Sequence, residues 1–140
     1  MAIDQTHIFP IDLQPNNAVG IAYPFTAQAM SGSIPFKSNY TTTDQTKSNL
    51  IIYFSTNKGE RPLNPGYGGG LKQLLFEQLT TNTFDVIEQT VIDGLATEFP
   101  HVNLRNLEVL ENIENNSLTI VMSYTVFNNA EENLEITFNT

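Results

Sequence analysis

The chain carries two apolar rhythms, helical in its middle and alternating towards its end, and each predicts elements. The stem of Lys47 with Leu50, Ile51 and Phe54 falls at i, i+3, i+4 and i+7, one stripe of a helix. Thr42 and Gln45 stand at capping-box spacing, which predicts a start at Thr42. Asn57-Lys58-Gly59 is expected to end it, Gly59 supplying a left-handed residue and Lys58 suiting the negative end of the helix dipole. Leu71, Leu74, Leu75 and Phe76 predict a short second helix. Phe84, Ile87, Val91 and Leu95, broadened by Val86 and Ile92, predict a longer one from a Thr83 cap to about Glu98, stopped by Pro100. Gly94 inside it costs up to about 1 kcal/mol relative to Ala, so it either marks a close packing contact or is simply tolerated.

From Leu104 the period becomes two. Leu107 and Val109 begin a strand, and Glu114-Asn115-Asn116-Ser117 is a turn. Along Leu118 to Phe127, Leu118, Ile120, Met122, Tyr124 and Val126 share one face, which should be core. Residues 128–133 form a second turn, and Leu134, Ile136 and Phe138 alternate with Glu135 and Thr137 in a last strand. The fold class is therefore α+β: a helical body of two to three helices, then a small C-terminal antiparallel β-meander.

Residues 1–40 differ, holding four of the seven prolines and only Asp4, Asp12 and Lys37 as charged side chains. Phe9, Ile11 and Leu13 alternate, as do Val19, Ile21, Tyr23 and Phe25, but Pro10, Pro15 and Pro24 restrict them to edges or extended chain. They read as an extended arm attached to a domain at 41–140, lying either on that domain or on a neighbour.

Charge narrows the partners. A formal charge of −9, with only six Lys and Arg, disfavours nucleic acid. The absence of cysteine excludes disulfides and thiol chemistry. No basic segment followed by an apolar one opens the chain, and no apolar run approaches 18 residues, so neither a signal peptide nor a membrane span is expected.

From the end of the first helix into the second, Thr56-Asn57-Lys58-Gly59-Glu60-Arg61-Pro62, Asn64-Pro65-Gly66-Tyr67-Gly68 and Leu75-Phe76-Glu77 follow in that order. This series resembles the sheath-initiator proteins of contractile-tail baseplates. These are the baseplate wedge proteins of myophages once filed as gene-25-like lysozymes, which have a counterpart in the type VI secretion baseplate. The resemblance runs from about Thr42 to Phe138. It departs at Phe99-Pro100-His101, where many relatives carry Glu-Pro-Arg.

The resemblance implies a virion protein of the tail baseplate, assembled in the host cytoplasm, that links the inner wedge to the tail sheath. It implies six copies per baseplate, wedge and sheath proteins as partners, and no enzyme activity or cofactor. Gly59, Glu60, Arg61, Pro62, Asn64, Pro65, Gly68, Leu75, Phe76 and Glu77 then form the motif turn, with Arg61 either fastening it to Glu77 or touching a partner. Pro100 and His101 are candidate wedge contacts. Leu134, Glu135, Ile136, Thr137 and Phe138 are the candidate edge to which a sheath strand adds, or else an edge guarded by its carboxylates.

The alternative is a peptidoglycan-cleaving glycosidase, which needs two carboxylates about a sugar bond, one kept protonated. Glu60, Glu77, Asp85 and Glu88 are available, but no pair stands out and there is no Trp. Gly66 to Gly70 lacks the residues of either phosphate-loop pattern, and His7 and His101 sit in no ligand-spaced cluster.

Overall fold

A computed structural model of the 140-residue chain describes residues 8–23, 37–74, 81–127 and 129–139. Residues 1–52 and 53–140 form two compact units.

In the first unit, Pro10–Leu13 is a single 3-10 turn, not the start of a strand. Pro10 fixes the backbone angle that such a turn needs, and the Asp12 amide donates to the Phe9 carbonyl at 3.0 Å. Strand β1 (Gly20–Ile21) pairs antiparallel with β2 (Ser38–Asn39). Helix α1 spans Thr42–Ser55. Its cap is Thr41, one residue earlier than the spacing predicts, with Thr41 Oγ1 accepting the Asp44 amide at 3.2 Å. Asp12 explains the shift. Its carboxylate accepts both the Thr42 amide and the Thr42 hydroxyl at 2.8 Å, while Gln45 is drawn to Asn39 and Asn49 instead of reaching back. Buried Asn39 donates 3.0 Å bonds to Gln45 and Ser48, tying β2 to the helix.

The second unit begins at Tyr53, within α1. Helix α2 is described over Leu71–Leu74 and α3 over Thr81–Glu98, two residues longer at its start than predicted. Thr83 therefore lies inside the helix, buried. Ile87, Val91 and Leu95 form the buried face of α3, whereas Val86 and Ile92 are 48 % and 40 % exposed and do not broaden it. The helix ends at Glu98, two residues before Pro100, and the Phe99 amide still reaches the Leu95 carbonyl at 2.9 Å.

The meander follows as β3 (Val102–Asn112), β4 (Ser117–Val126) and β5 (Glu131–Asn139), in spatial order β3-β4-β5. The expected face of β4 is fully buried, from Leu118 to Val126. Leu134, Ile136 and Phe138 of β5 share that core, paired with Met122, Ile120 and Leu118. The central strand β4 pairs with β3 on one side and β5 on the other. No helix among the described residues is long and apolar enough to cross a membrane.

Candidate functional site

The motif turn is built from the end of α1 outwards. The Gly69 and Gly70 amides donate to the Tyr53 and Thr56 carbonyls at 2.9 and 3.3 Å, so these two are engaged at the end of the helix and not turned to a phosphate. Gly59 is left-handed, as expected, with φ of 91°, but it closes the loop instead of the helix, its amide reaching the Pro65 carbonyl at 2.8 Å. Gly68 is obligatory. At φ of 124°, a side chain there would place its Cβ 2.5 Å from the Thr56 carbonyl oxygen.

Glu60 fastens the base of this loop. Its two carboxylate oxygens accept the Asn57 amide at 3.0 Å and the Asn57 side-chain amide at 2.7 Å. The backbone bond first, then the side-chain bond, hold the Glu60 carboxyl below its ordinary range. A glycosidase acid needs the opposite shift. Arg61 lies over the Tyr67 ring, its guanidinium carbon 4.0 Å from the ring centre. Asn64 and Tyr67 continue the turn, their amides donating to the Arg61 and Asn64 carbonyls at 3.1 Å, and Pro62 and Pro65 hold its corners. Leu75, Phe76 and Glu77 lie outside the described residues, and so does the expected Arg61–Glu77 contact.

A run of rings leaves this turn. Tyr67 and Phe99 each meet the Tyr53 ring edge-on, at 5.1 and 5.4 Å, and burial is the leading cause of the raised Tyr53 and Tyr67 hydroxyl pKa values. His101 stands between Phe99 at 6.2 Å and Phe127 at 5.7 Å, the latter stacked. Burial pushes its imidazole below the ordinary range. His101 is thus half-buried, more enclosed than a loop histidine, and Pro100 beside it is exposed. Phe127 keeps an unusual left-handed backbone, φ 54°, with its amide donating to the His101 carbonyl at 2.8 Å and its own carbonyl accepting from the Asn103 side chain. Periodicity read Phe127 as the last residue of the strand, and nothing in the pattern marked this turn of the backbone.

The third candidate is the outer edge of β5. Nine residue pairs, Ser117↔Asn139 through Thr125↔Glu131, run without a break in register. Leu134, Ile136 and Phe138 face the core, while Glu135 and Thr137 face outward and are exposed. Across the sheet, β3 is interrupted between Leu104 and Asn106, where its register with β4 shifts. The structure brings Glu60, Arg61, Asn64 and Gly68 together in one loop. Residues 134–138 form a separate strand. Among the described residues, no group of three or more metal-ligating side chains occurs.

No family model matches the chain. In sequence, 86 residues are 26 % identical to baseplate wedge protein gp25 of Enterobacteria phage T4. That match takes in 61 % of this chain and 65 % of the T4 protein, just under two thirds of the relative's length. In structure, the chain is similar to a candidate tail lysozyme from Geobacter sulfurreducens, with a TM-score of 0.63 and 25 % identity over 79 % of this chain and 96 % of the other. It shares a fold, again at a TM-score of 0.63, with a chain of the anti-feeding prophage baseplate, 19 % identical over 76 % of this chain and 83 % of that one. In both sequence and fold, the chain is similar to the gp25-like family of baseplate proteins.

Proposed function

We propose that this protein is a non-enzymatic structural component of a contractile-tail baseplate, joining the inner wedge to the tail sheath. Its C-terminal sheet starts sheath polymerisation by accepting a strand from the terminal arm of a sheath subunit. The observation that carries this reading is the edge of β5, nine residues in unbroken register with a strand on one side and exposed polar side chains on its outward face. Backbone groups on such an edge form a ladder with any extended segment of matching alternation. Glu131 and Glu135 discourage two copies from pairing edge to edge, because that would set like charges against each other.

The partners are the tail sheath and the wedge, the latter met near Pro100 and His101, with residues 1–40 as an arm. A copy number of six per baseplate is in keeping with the six-fold symmetrised assembly that holds the similar prophage chain. The place of action is the virion tail, after assembly in the host cytoplasm. For cell-wall cleavage, Glu60 is a poor choice of protonated acid, because its bonds to Asn57 lower its carboxyl pKa.

The test is capture of purified sheath and wedge proteins from the same tail by the intact chain, with a synthetic peptide of the sheath arm as competitor. Sheath bound by the chain and displaced by the peptide supports strand addition. Sheath left unbound contradicts it.

A further inference from the structure

The tip of the motif turn presents Leu63 with its side chain fully exposed, at 100 % relative accessibility. Single exposed leucines are common on protein surfaces, and exposure alone says little. The backbone beneath this one is what sets it apart. Glu60 is tied to Asn57, Gly59 to Pro65, Asn64 to Arg61 and Tyr67 to Asn64, and prolines stand at 62 and 65 on either side of the tip. A loop so constrained loses little freedom on binding, which is what an anchor residue requires.

The local charge balance is opposite in sign to that of the chain. Lys58, Arg61 and Lys72, three of the six cations in a chain of net charge −9, belong to this loop and the described part of the helix that follows it, against the one carboxylate of Glu60. Lys58 and Lys72 are exposed, and Lys72 lies near enough to help lower the Glu60 carboxyl.

We propose that Leu63 is a docking knob, seated in the assembled baseplate in an apolar pocket rimmed by carboxylates on another tail protein, at a contact separate from the β5 edge. Buried apolar anchors ringed by polar contacts carry much of the affinity of such interfaces. A lipid surface is a poorer fit, because one leucine inserts little apolar area and the acidic remainder of the chain is repelled by anionic headgroups. The inference rests on the reading of the chain as a baseplate component.

The chain has no cysteine, so Leu63→Cys gives it a single thiol whose labelling by maleimide reports the exposure of that position. Labelling is compared in the free chain, in the free chain with anionic phospholipid vesicles, and in baseplates purified after co-expression of the tail proteins. The free thiol is expected to react fast, with or without vesicles, and to slow at least about ten-fold in the baseplate. Leu63→Asp should leave the thermal midpoint of the free chain unchanged and lower its copies per baseplate by about ten-fold or more. A thiol equally reactive in the baseplate, normal incorporation of Leu63→Asp, or protection by vesicles overturns the docking knob while leaving the baseplate role standing. Failure of the parent chain to enter baseplates overturns both.

Discussion

Gly94 is where the packing of the second unit can be tested by a single methyl group. A Cβ at this position would lie 2.9 Å from Cε1 and 3.0 Å from the hydroxyl of Tyr53. The ring cannot swing away, since Phe54, Tyr67 and Phe99 contact it at 5.1, 5.1 and 5.4 Å between ring centres. In an open helix, Gly→Ala gains about 1 kcal/mol from backbone propensity. Overpacking a closed core costs about 1–3 kcal/mol, and here it outweighs that gain. Gly94→Ala should therefore destabilise the chain by about 1 kcal/mol in urea denaturation followed by circular dichroism. In a Tyr53→Leu background the ring is gone and the sign should reverse, giving a gain of about 1 kcal/mol and a coupling of about 2 kcal/mol across the cycle. If Gly94→Ala stabilised the parent chain, the close approach of Tyr53 to α3 would be refuted.

Asp12→Ala removes both bonds to Thr42 and should cost about 1–2 kcal/mol, read as a lower urea midpoint. Glu60 has a folded pKa below its unfolded one, so its contribution is full above the ordinary carboxylate range and disappears as pH falls through the folded value. Amide exchange across residues 57–67 should accordingly be faster in Glu60→Gln than in the parent near pH 7, with the difference vanishing in acid. The half-buried His101 imidazole is likewise depressed, but here the unfolded chain takes up the proton first. Stability should therefore decline as pH falls from 7 through the ordinary imidazole range, and His101→Gln should flatten that slope in pH-dependent thermal melts.

Much of the second unit is legible in the sequence because its segments are strongly periodic. The β4 alternation from Leu118 to Val126 and the α3 face of Ile87, Val91 and Leu95 each repeat one burial pattern over several turns or pairs, and those residues are buried. The misreadings arise where a distant side chain decides the local structure. Thr42 has the spacing of a cap, yet Asp12, 30 residues earlier, occupies its amide and hydroxyl and leaves capping to Thr41. The alternation of Phe9, Ile11 and Leu13 yields to the geometry set by Pro10, and a 3-10 turn results. Val86 and Ile92 lie at positions that widen an apolar stripe on paper, but the core reaches only the narrower face of α3.

At the site, the turn residues follow from composition, since the prolines and glycines between Glu60 and Gly70 admit no regular structure. Their partners do not. Arg61 resting on Tyr67 and Glu60 gripping Asn57 depend on how the loop folds back on itself. Leu63 is hidden in the opposite sense, because a leucine between two prolines carries no periodic signal of being outside.

Deleting the last strand would not separate binding from folding, because Leu134, Ile136 and Phe138 are 1 %, 6 % and 7 % exposed and belong to the core. The direct test leaves the chain intact: hydrogen exchange of the β5 amides, residues 131–139, measured free and in complex with the purified sheath protein. In the free chain, amides facing the outer edge should exchange quickly and those paired with β4 slowly, in alternation along the strand. Strand addition predicts that the fast set becomes protected when sheath binds, while the slow set is unchanged. A complex that forms with the β5 pattern unaltered would contradict the account and place the sheath contact elsewhere on the chain.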